Sequence, residues 1–215
     1  MPIPKQLTAA FECDKFYHIV CKSLPEQVLF KSDENRLFFL KRYQQFLGLF
    51  ISTYAYCLLD NHVYFLIKVN KESAIKNALS ANPSETRTVV QRKFLSSDVG
   101  TDELLERQFN SFFVSYTRSF NIHHKRKGHL FDSPFKRIAI ENDVHLTQVI
   151  IYIHANALKH KLVKDFTLFK WSSYQTVLSG KMTQLKREEV IEWFGSKEKF
   201  IEAHKSQSEY YYTSE

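Results

Sequence analysis

The sequence predicts an α+β fold: one antiparallel sheet with helices on one face, followed by a C-terminal helical appendix. Short runs with a period of two, longer runs with a helical period between them, and a tight turn joining two of the short runs predict it. Residues 16–22 alternate aromatic, β-branched and polar side chains and read as a strand, which the Leu24-Pro25 step ends. Ser32 is placed to cap a helix from Asp33 to about Leu47, with Asp33 and Glu34 in its first turn. Leu37, Leu40, Tyr43 and Leu47 share one face of it, and Gly48 is a natural stop. Residues 50–59 and 62–69 read as two strands, and Asp60-Asn61 supplies the turn of a hairpin.

Residues 71–100 are polar and poor in aromatics, and Asn82-Pro83 and Ser96-Ser97-Asp98 interrupt them; a variable helical or flexible insertion is expected. Thr101 or Asp102 opens a long helix whose stripe is Leu105, Phe109, Phe112, Phe113, Tyr116 and Phe120. Tyr116 therefore reads as core, and His123 and His124 at the helix end read as solvated. Lys125 to Gly128 break the helix, residues 135–140 form a short strand, and Asn142 caps a helix to about Leu158. The first six elements follow the split βαβ order of the ferredoxin-like fold. Residues 1–164 are read as one domain. Residues 165–215 add amphipathic pieces around Trp171 and Trp193 and a polar, Tyr-rich tail expected to fray.

Composition narrows the partners. The chain has 215 residues, enough to bury a core, and no apolar run long enough to span a bilayer, so no membrane partner is expected. No apolar leader follows Met1, and Cys13, Cys21 and Cys57 have neither metal-type spacing nor an even number. A reduced, cytoplasmic chain is the expectation. The net charge is +7, and Arg118, Lys125, Arg126, Lys127, Lys136 and Arg137 fall in one segment with Asp132 as its sole acid. Phe120, Phe131 and Phe135 are interleaved there. Basic groups neutralise phosphates and exposed aromatic faces stack on unpaired bases, which makes these six cations candidate DNA-binding residues. A solvated loop is the other reading.

On the helix from Asn142, Leu146, Val149, Ile150, Ile153 and Ala157 fall within a narrow arc and should face the core. His145, Gln148, Tyr152 and Asn156 fall on a flank, and the i, i+4 pair Tyr152 and Asn156 sit one above the other. His62 and Tyr64 point to one sheet face, and Val63, Phe65 and Ile67 to the opposite one. Taken singly, each pattern is equally a polar flank or ordinary strand packing.

Taken in order, five segments resemble the REP-associated tyrosine transposases and related small single-tyrosine insertion-sequence transposases, which are HUH nucleases. Tyr17-His18-Ile19-Val20 resembles their opening strand, and residues 56–67, centred on His62-Val63-Tyr64, resemble their HUH strand pair. Residues 126–131 with Phe135-Lys136 are similar to their loop-and-strand signature, Tyr152-Ile153-His154-Ala155-Asn156 to their catalytic helix, and Trp171-Ser172-Ser173-Tyr174 to a downstream signature. The resemblance implies binding of single-stranded or hairpin DNA and metal-dependent cleavage and rejoining through a 5′-phosphotyrosine link. By that resemblance Tyr152 is the nucleophile. Mg²⁺ or Mn²⁺ is held by His62, Asn156 and the position of Tyr64. A homodimer is left open.

This chain departs from the pattern at three places. Tyr64 stands where the second histidine is expected, and a neutral phenol is a poor ligand for Mg²⁺ or Mn²⁺. Ala157 stands where proline usually follows the asparagine. Asp60 stands in place of a proline, with a carboxylate near His62 in sequence. Three functions compete: an active strand transferase, a transposase-derived DNA-binding protein with impaired cleavage, and an unrelated RNA- or protein-binding module of the same fold.

Overall fold

The computed structural model describes residues 8–213, with side chains through 207. Four strands are present: β1 (Phe16–Lys22), β2 (Ile51–Leu58), β3 (His62–Val69) and β4 (Lys136–Ile140). They pair antiparallel in the order β2-β3-β1-β4. Between β1 and β2 lies α1 (Asp33–Leu47), and between β3 and β4 lie α2 (Glu72–Ala81), α3 (Val89–Leu95) and α4 (Thr101–His123). That order and pairing are those expected of a ferredoxin-like α+β sheet. After β4 come α5 (Asp143–Lys159), α6 (Tyr174–Leu178), α7 (Arg187–Phe194) and α8 (Lys197–Thr213).

Alternation along the strands divides the molecule. Tyr17, Ile19 and Cys21 of β1 lie opposite Ile67, Phe65 and Val63 of β3, and all six belong to the core beneath α1 and α4. Aromatic packing dominates this layer: Tyr43 stacks on Phe65 at 4.3 Å and Phe39 meets Phe112 at 4.9 Å. Each such ring withdrawn from water contributes roughly 1.5–3 kcal/mol. On α1 the expected stripe is rotated. Phe39, Tyr43 and Leu47 are buried, whereas Leu37 is 60% exposed and Leu40 half-buried. The larger Phe39 ring takes the sheet-facing position, and Arg36 turns in with it to meet Asp60 and the Leu58 carbonyl. Gly48 closes α1 with ordinary right-handed dihedrals (φ −60°); a Cβ there would stand 2.7 Å from the Gln44 carbonyl oxygen. The 71–100 insertion is helical rather than loose, and Ile75, Leu79 and Phe94 plant it in the core.

The opposite face of the sheet is covered as well, so helices lie on both sides and not on one alone. The helices between β1 and β4 share one face, with α2 and α3 joining the core of α1 and α4. Tyr54, Ala55 and Cys57 of β2, with Tyr64 and Leu66 of β3, are too apolar to leave in water; α5 lies across them with Leu146, Val149, Ile150, Ile153 and Ala157 inward. Asn142 caps α5 as expected, accepting from the His145 amide at 2.8 Å. The outer side of α5 is covered in turn by α8, which buries His154 fully; Asn156, on a different side of α5, is fully buried as well. Residues 171–173 and 185–186 run along the outer edge of β2, with backbone bonds from Leu58 to Trp171, Ser173 to Tyr56 and Lys186 to Thr53. The Trp171 indole donates to Asp33 at 2.8 Å. The helix α8 continues to Thr213, through the Tyr-rich stretch expected to fray, while residues 214–215 lie outside the described residues.

A chain of neutral groups ties α5 to these later segments. His204 Nδ1 meets the Phe200 carbonyl at 2.7 Å and must donate to it, so its Nε2 accepts from His154 Nδ1 at 2.8 Å. His154 Nε2 then accepts from the Ser173 hydroxyl at 2.7 Å, and Ser173 Oγ accepts the Tyr56 amide at 2.9 Å. Burial, with a lesser push from His204, holds His154 well below the usual histidine range, and burial brings His204 down to about 4. His18 is likewise brought to about 4 by burial and then by His145.

These three histidines are neutral when folded and ordinarily basic, near 6.5, when unfolded. Below pH 6.5 the unfolded chain binds protons that the folded chain refuses, so stability present above 6.5 is lost as the pH falls toward 4. His18 and His204 each contribute on the order of 3 kcal/mol to that loss, and His154 acts in the same direction. Urea titrations should therefore show a midpoint that is level above neutrality and drops steeply in mild acid; a midpoint unchanged between roughly pH 7 and pH 5 would contradict the neutral chain.

Candidate functional site

Because α5 crosses β2 and β3, the same sheet face is left open over β1 and β4. A cavity of about 470 Å³ occupies that opening. The strands line it in register: Val20 of β1 lies between Tyr64 of β3 and Lys136 of β4, and Lys22 lies opposite His62. Tyr152 enters from the flank of α5, and Asp132 closes the rim, paired with Lys22 at 3.1 Å. His62, Tyr64 and Tyr152, far apart in sequence, thus share one cavity, with ring centroids 6.0 Å (His62–Tyr64) and 6.1 Å (Tyr64–Tyr152) apart.

Asn156 does not join them. It is fully buried, its amide donates to the Tyr152 carbonyl at 2.8 Å, and its Oδ1 has no hydrogen-bond partner. Two histidines that sequence reasoning missed stand closer. His18 lines the cavity, parallel to Tyr64 at 6.2 Å and edge-on to Tyr152 at 5.8 Å. His160, at the C-cap of α5, lies 5.3 Å from the His62 ring and meets the Tyr64 hydroxyl at 3.3 Å. Both had a signal: His18 shares the face of Tyr64 by strand alternation, and Tyr152, Asn156 and His160 form an i, i+4, i+8 series.

Burial is the main cause of every shifted titration here. It holds the Tyr64 phenol above its ordinary range, with Tyr152 and Cys57 adding to the effect, and raises Tyr152. Burial also lowers His62, helped by His160, Lys22 and Lys136, and lowers His160, helped by Lys159. The site at neutral pH therefore offers uncharged imidazoles and protonated phenols. His62 Nδ1 is engaged by the Asn61 side chain at 2.9 Å. The donor set does not fit Mg²⁺ or Mn²⁺: Tyr64 is a neutral phenol, and Asn156 lies outside the cavity lining. Among the described residues no group of three or more His, Cys, Asp or Glu could hold a metal ion. Asp60, the carboxylate near His62 in sequence, is taken by Arg36.

The basic segment divides. Lys136 lines the cavity, and Arg118, Lys125 and Lys127 are exposed. Arg126 instead holds its loop together, donating to Asn121 Oδ1 at 2.6 Å and the His129 carbonyl at 2.9 Å. Arg137 is a correction to the DNA-facing set. It is 8% exposed, bonds Glu106 at 2.8 Å, and lies over the Phe11 ring at 4.9 Å. The aromatic residues are corrected too: Phe120 is buried, and Phe131 and Phe135 are half-buried against Phe113 at 4.7 and 5.3 Å rather than standing free as platforms. His124, expected in solvent, packs on Phe120 at 4.3 Å and meets Asn35 at 3.1 Å.

No family model and no curated protein matches the chain. A solved structure of a REP-associated tyrosine transposase bound to a REP hairpin aligns with 83% of this chain and 93% of its own, at a TM-score of 0.50 and 12% identity. The fold is shared. At that identity, the roles of individual residues rest on this chain's own geometry.

The two kinds of cation should separate on mutation. Arg137→Ala is expected to cost about 2 kcal/mol of stability, read as a lower urea midpoint. Lys125→Ala combined with Lys127→Ala should leave stability within about 0.5 kcal/mol and reduce the salt slope of single-strand binding by about 0.7 for each phosphate no longer neutralised. An unchanged slope would make the loop a solvated connection.

Proposed function

We propose that this protein binds single-stranded or hairpin DNA through the open sheet face and its basic rim, and that its capacity for metal-dependent cleavage is impaired. The observation that carries the reading is Tyr64. Its buried, protonated phenol stands between His62 and Tyr152 and meets His160, where strand cleavage would require a second strong metal ligand. DNA binding needs less: cations to replace counterions and a concave surface to seat the strand. Lys22 and Lys136 supply charge at the cavity itself, and Arg118, Lys125 and Lys127 extend it across the neighbouring surface.

An active strand transferase is the second reading, and one observation favours it: Tyr152 and His62 line the same cavity. In that reading Tyr152 Oη attacks a phosphodiester phosphorus, the 3′-oxygen leaves, and the 5′-phosphate stays on the enzyme. The raised Tyr152 phenol would then need a base to accept its proton, and His18, held near 4, is too weak a base to take it readily.

Tyr64→His separates the two readings, because it places a third imidazole beside His62 and His160. Divalent-metal affinity should rise by roughly ten- to a hundred-fold, measured by calorimetry with Mn²⁺. Denaturing electrophoresis with labelled hairpin and single-stranded DNA should show little covalent adduct for the natural protein, more for Tyr64→His, and none when Tyr152→Phe is added. If the natural protein forms the adduct as well as the histidine variant, impaired cleavage is the wrong reading. If it binds no single-stranded or hairpin DNA in gel shifts, DNA binding itself falls.

A further inference from the structure

A second cavity, of about 500 Å³, lies between α4 and residues 128–135. Phe113, Phe131 and Phe135 form its apolar wall, with Leu130 beside them. Asn110, Thr117 and Arg118 of α4 stand along the helix side, and Asp132 and Ser133 along the other. Asp132 and Phe135 also line the Tyr152 cavity, so the two cavities are neighbours across the 132–135 segment.

We propose that this cavity receives one unpaired nucleobase of the bound DNA. The inference rests on the DNA-binding reading above and adds a site to it. A nucleobase is flat, apolar on its faces and polar along its edge, so it needs aromatic walls with a few hydrogen-bonding groups at the margin. The half-buried phenylalanines provide the first, and the Asn110 amide, Ser133 hydroxyl and Asp132 carboxylate the second. The charge suits a nucleotide rather than a neutral apolar ligand: Arg118 is exposed at the margin, with Lys125 and Lys127 exposed on the following loop. A strand whose backbone follows these cations can place a base in this cavity and a neighbouring nucleotide in the adjoining one.

The test is an abasic scan. Single-stranded and hairpin oligonucleotides, each lacking one base but keeping every phosphate, are titrated against the full chain by fluorescence anisotropy. One position should weaken binding by about five- to a hundred-fold, the scale of losing one stacked base. Thr117→Trp fills the cavity from a half-exposed helix position, and Val114→Trp does so from an exposed one, so the packed phenylalanines are untouched. Both variants should weaken binding of the intact oligonucleotide by a similar factor, leave the salt slope unchanged, and erase the penalty at the sensitive position. Circular dichroism confirms that each is folded, and either variant suffices. If the natural protein binds the oligonucleotides but no position is sensitive, or if the folded variants retain the same penalty, the base site is wrong while DNA binding stands. If the natural protein binds none of them, the DNA-binding reading falls and takes the base site with it.

Discussion

Period-two alternation in the central strands constrains the whole molecule, because each strand must hand one set of side chains to each sheet face. Tyr17, Ile19, Val63, Phe65 and Ile67 require a complete apolar cover, which α1 and α4 provide. His18, Lys22, His62, Tyr64 and Lys136 go to the other side, where α5 covers only the half of the sheet over β2 and β3. The cavity lined by His62, Tyr64 and Tyr152 is the uncovered remainder. A one-residue slip in β3 would send His62 and Tyr64 into the aromatic core and dismantle both layers together.

The helix that brings Tyr152 to this cavity is held from two directions. The sheet packs its inner stripe, and the His154–His204 contact with Ser173 ties its outer side to α8 and to the segment along β2. Tight support has a chemical cost, since the same burial that positions the ring also raises its phenol. The Trp171-Ser172-Ser173-Tyr174 segment thereby acquires a physical meaning: Ser173 and Tyr174 brace the helix at His154, Trp171 bonds Asp33 of α1, and none of the four lines the cavity.

Local periodicity made much of this legible in the sequence. The strands, the long helix stripe, the inward face of α5 and the shared face of His62 and Tyr64 all follow from spacing between near neighbours. What spacing could not convey was contact between distant segments. Arg137 reads as a free cation until Glu106 and Asp102 are brought beside it from α4. Asn156 reads as an open flank residue, yet in the packed fold it is fully buried and its amide bonds the Tyr152 carbonyl. His160 gains its importance from Tyr64, ninety-six positions away in the chain. On α1 the difference is a local rotation of the helix, which buries Phe39 and leaves Leu37 exposed.

The segment running along β2 has another consequence. A sheet edge with unpaired backbone groups is a template for a strand from another molecule. Here Trp171, Ser173 and Lys186 occupy the β2 edge, and the Ala9 amide bonds the Arg137 carbonyl on the far side of β4. Growth of the sheet from one copy into the next is thus obstructed along β2, while the β4 edge is engaged at Arg137. Proteolytic loss of the chain beyond α5 would bare the β2 edge and the apolar side of α5 at once, creating a surface prone to self-association.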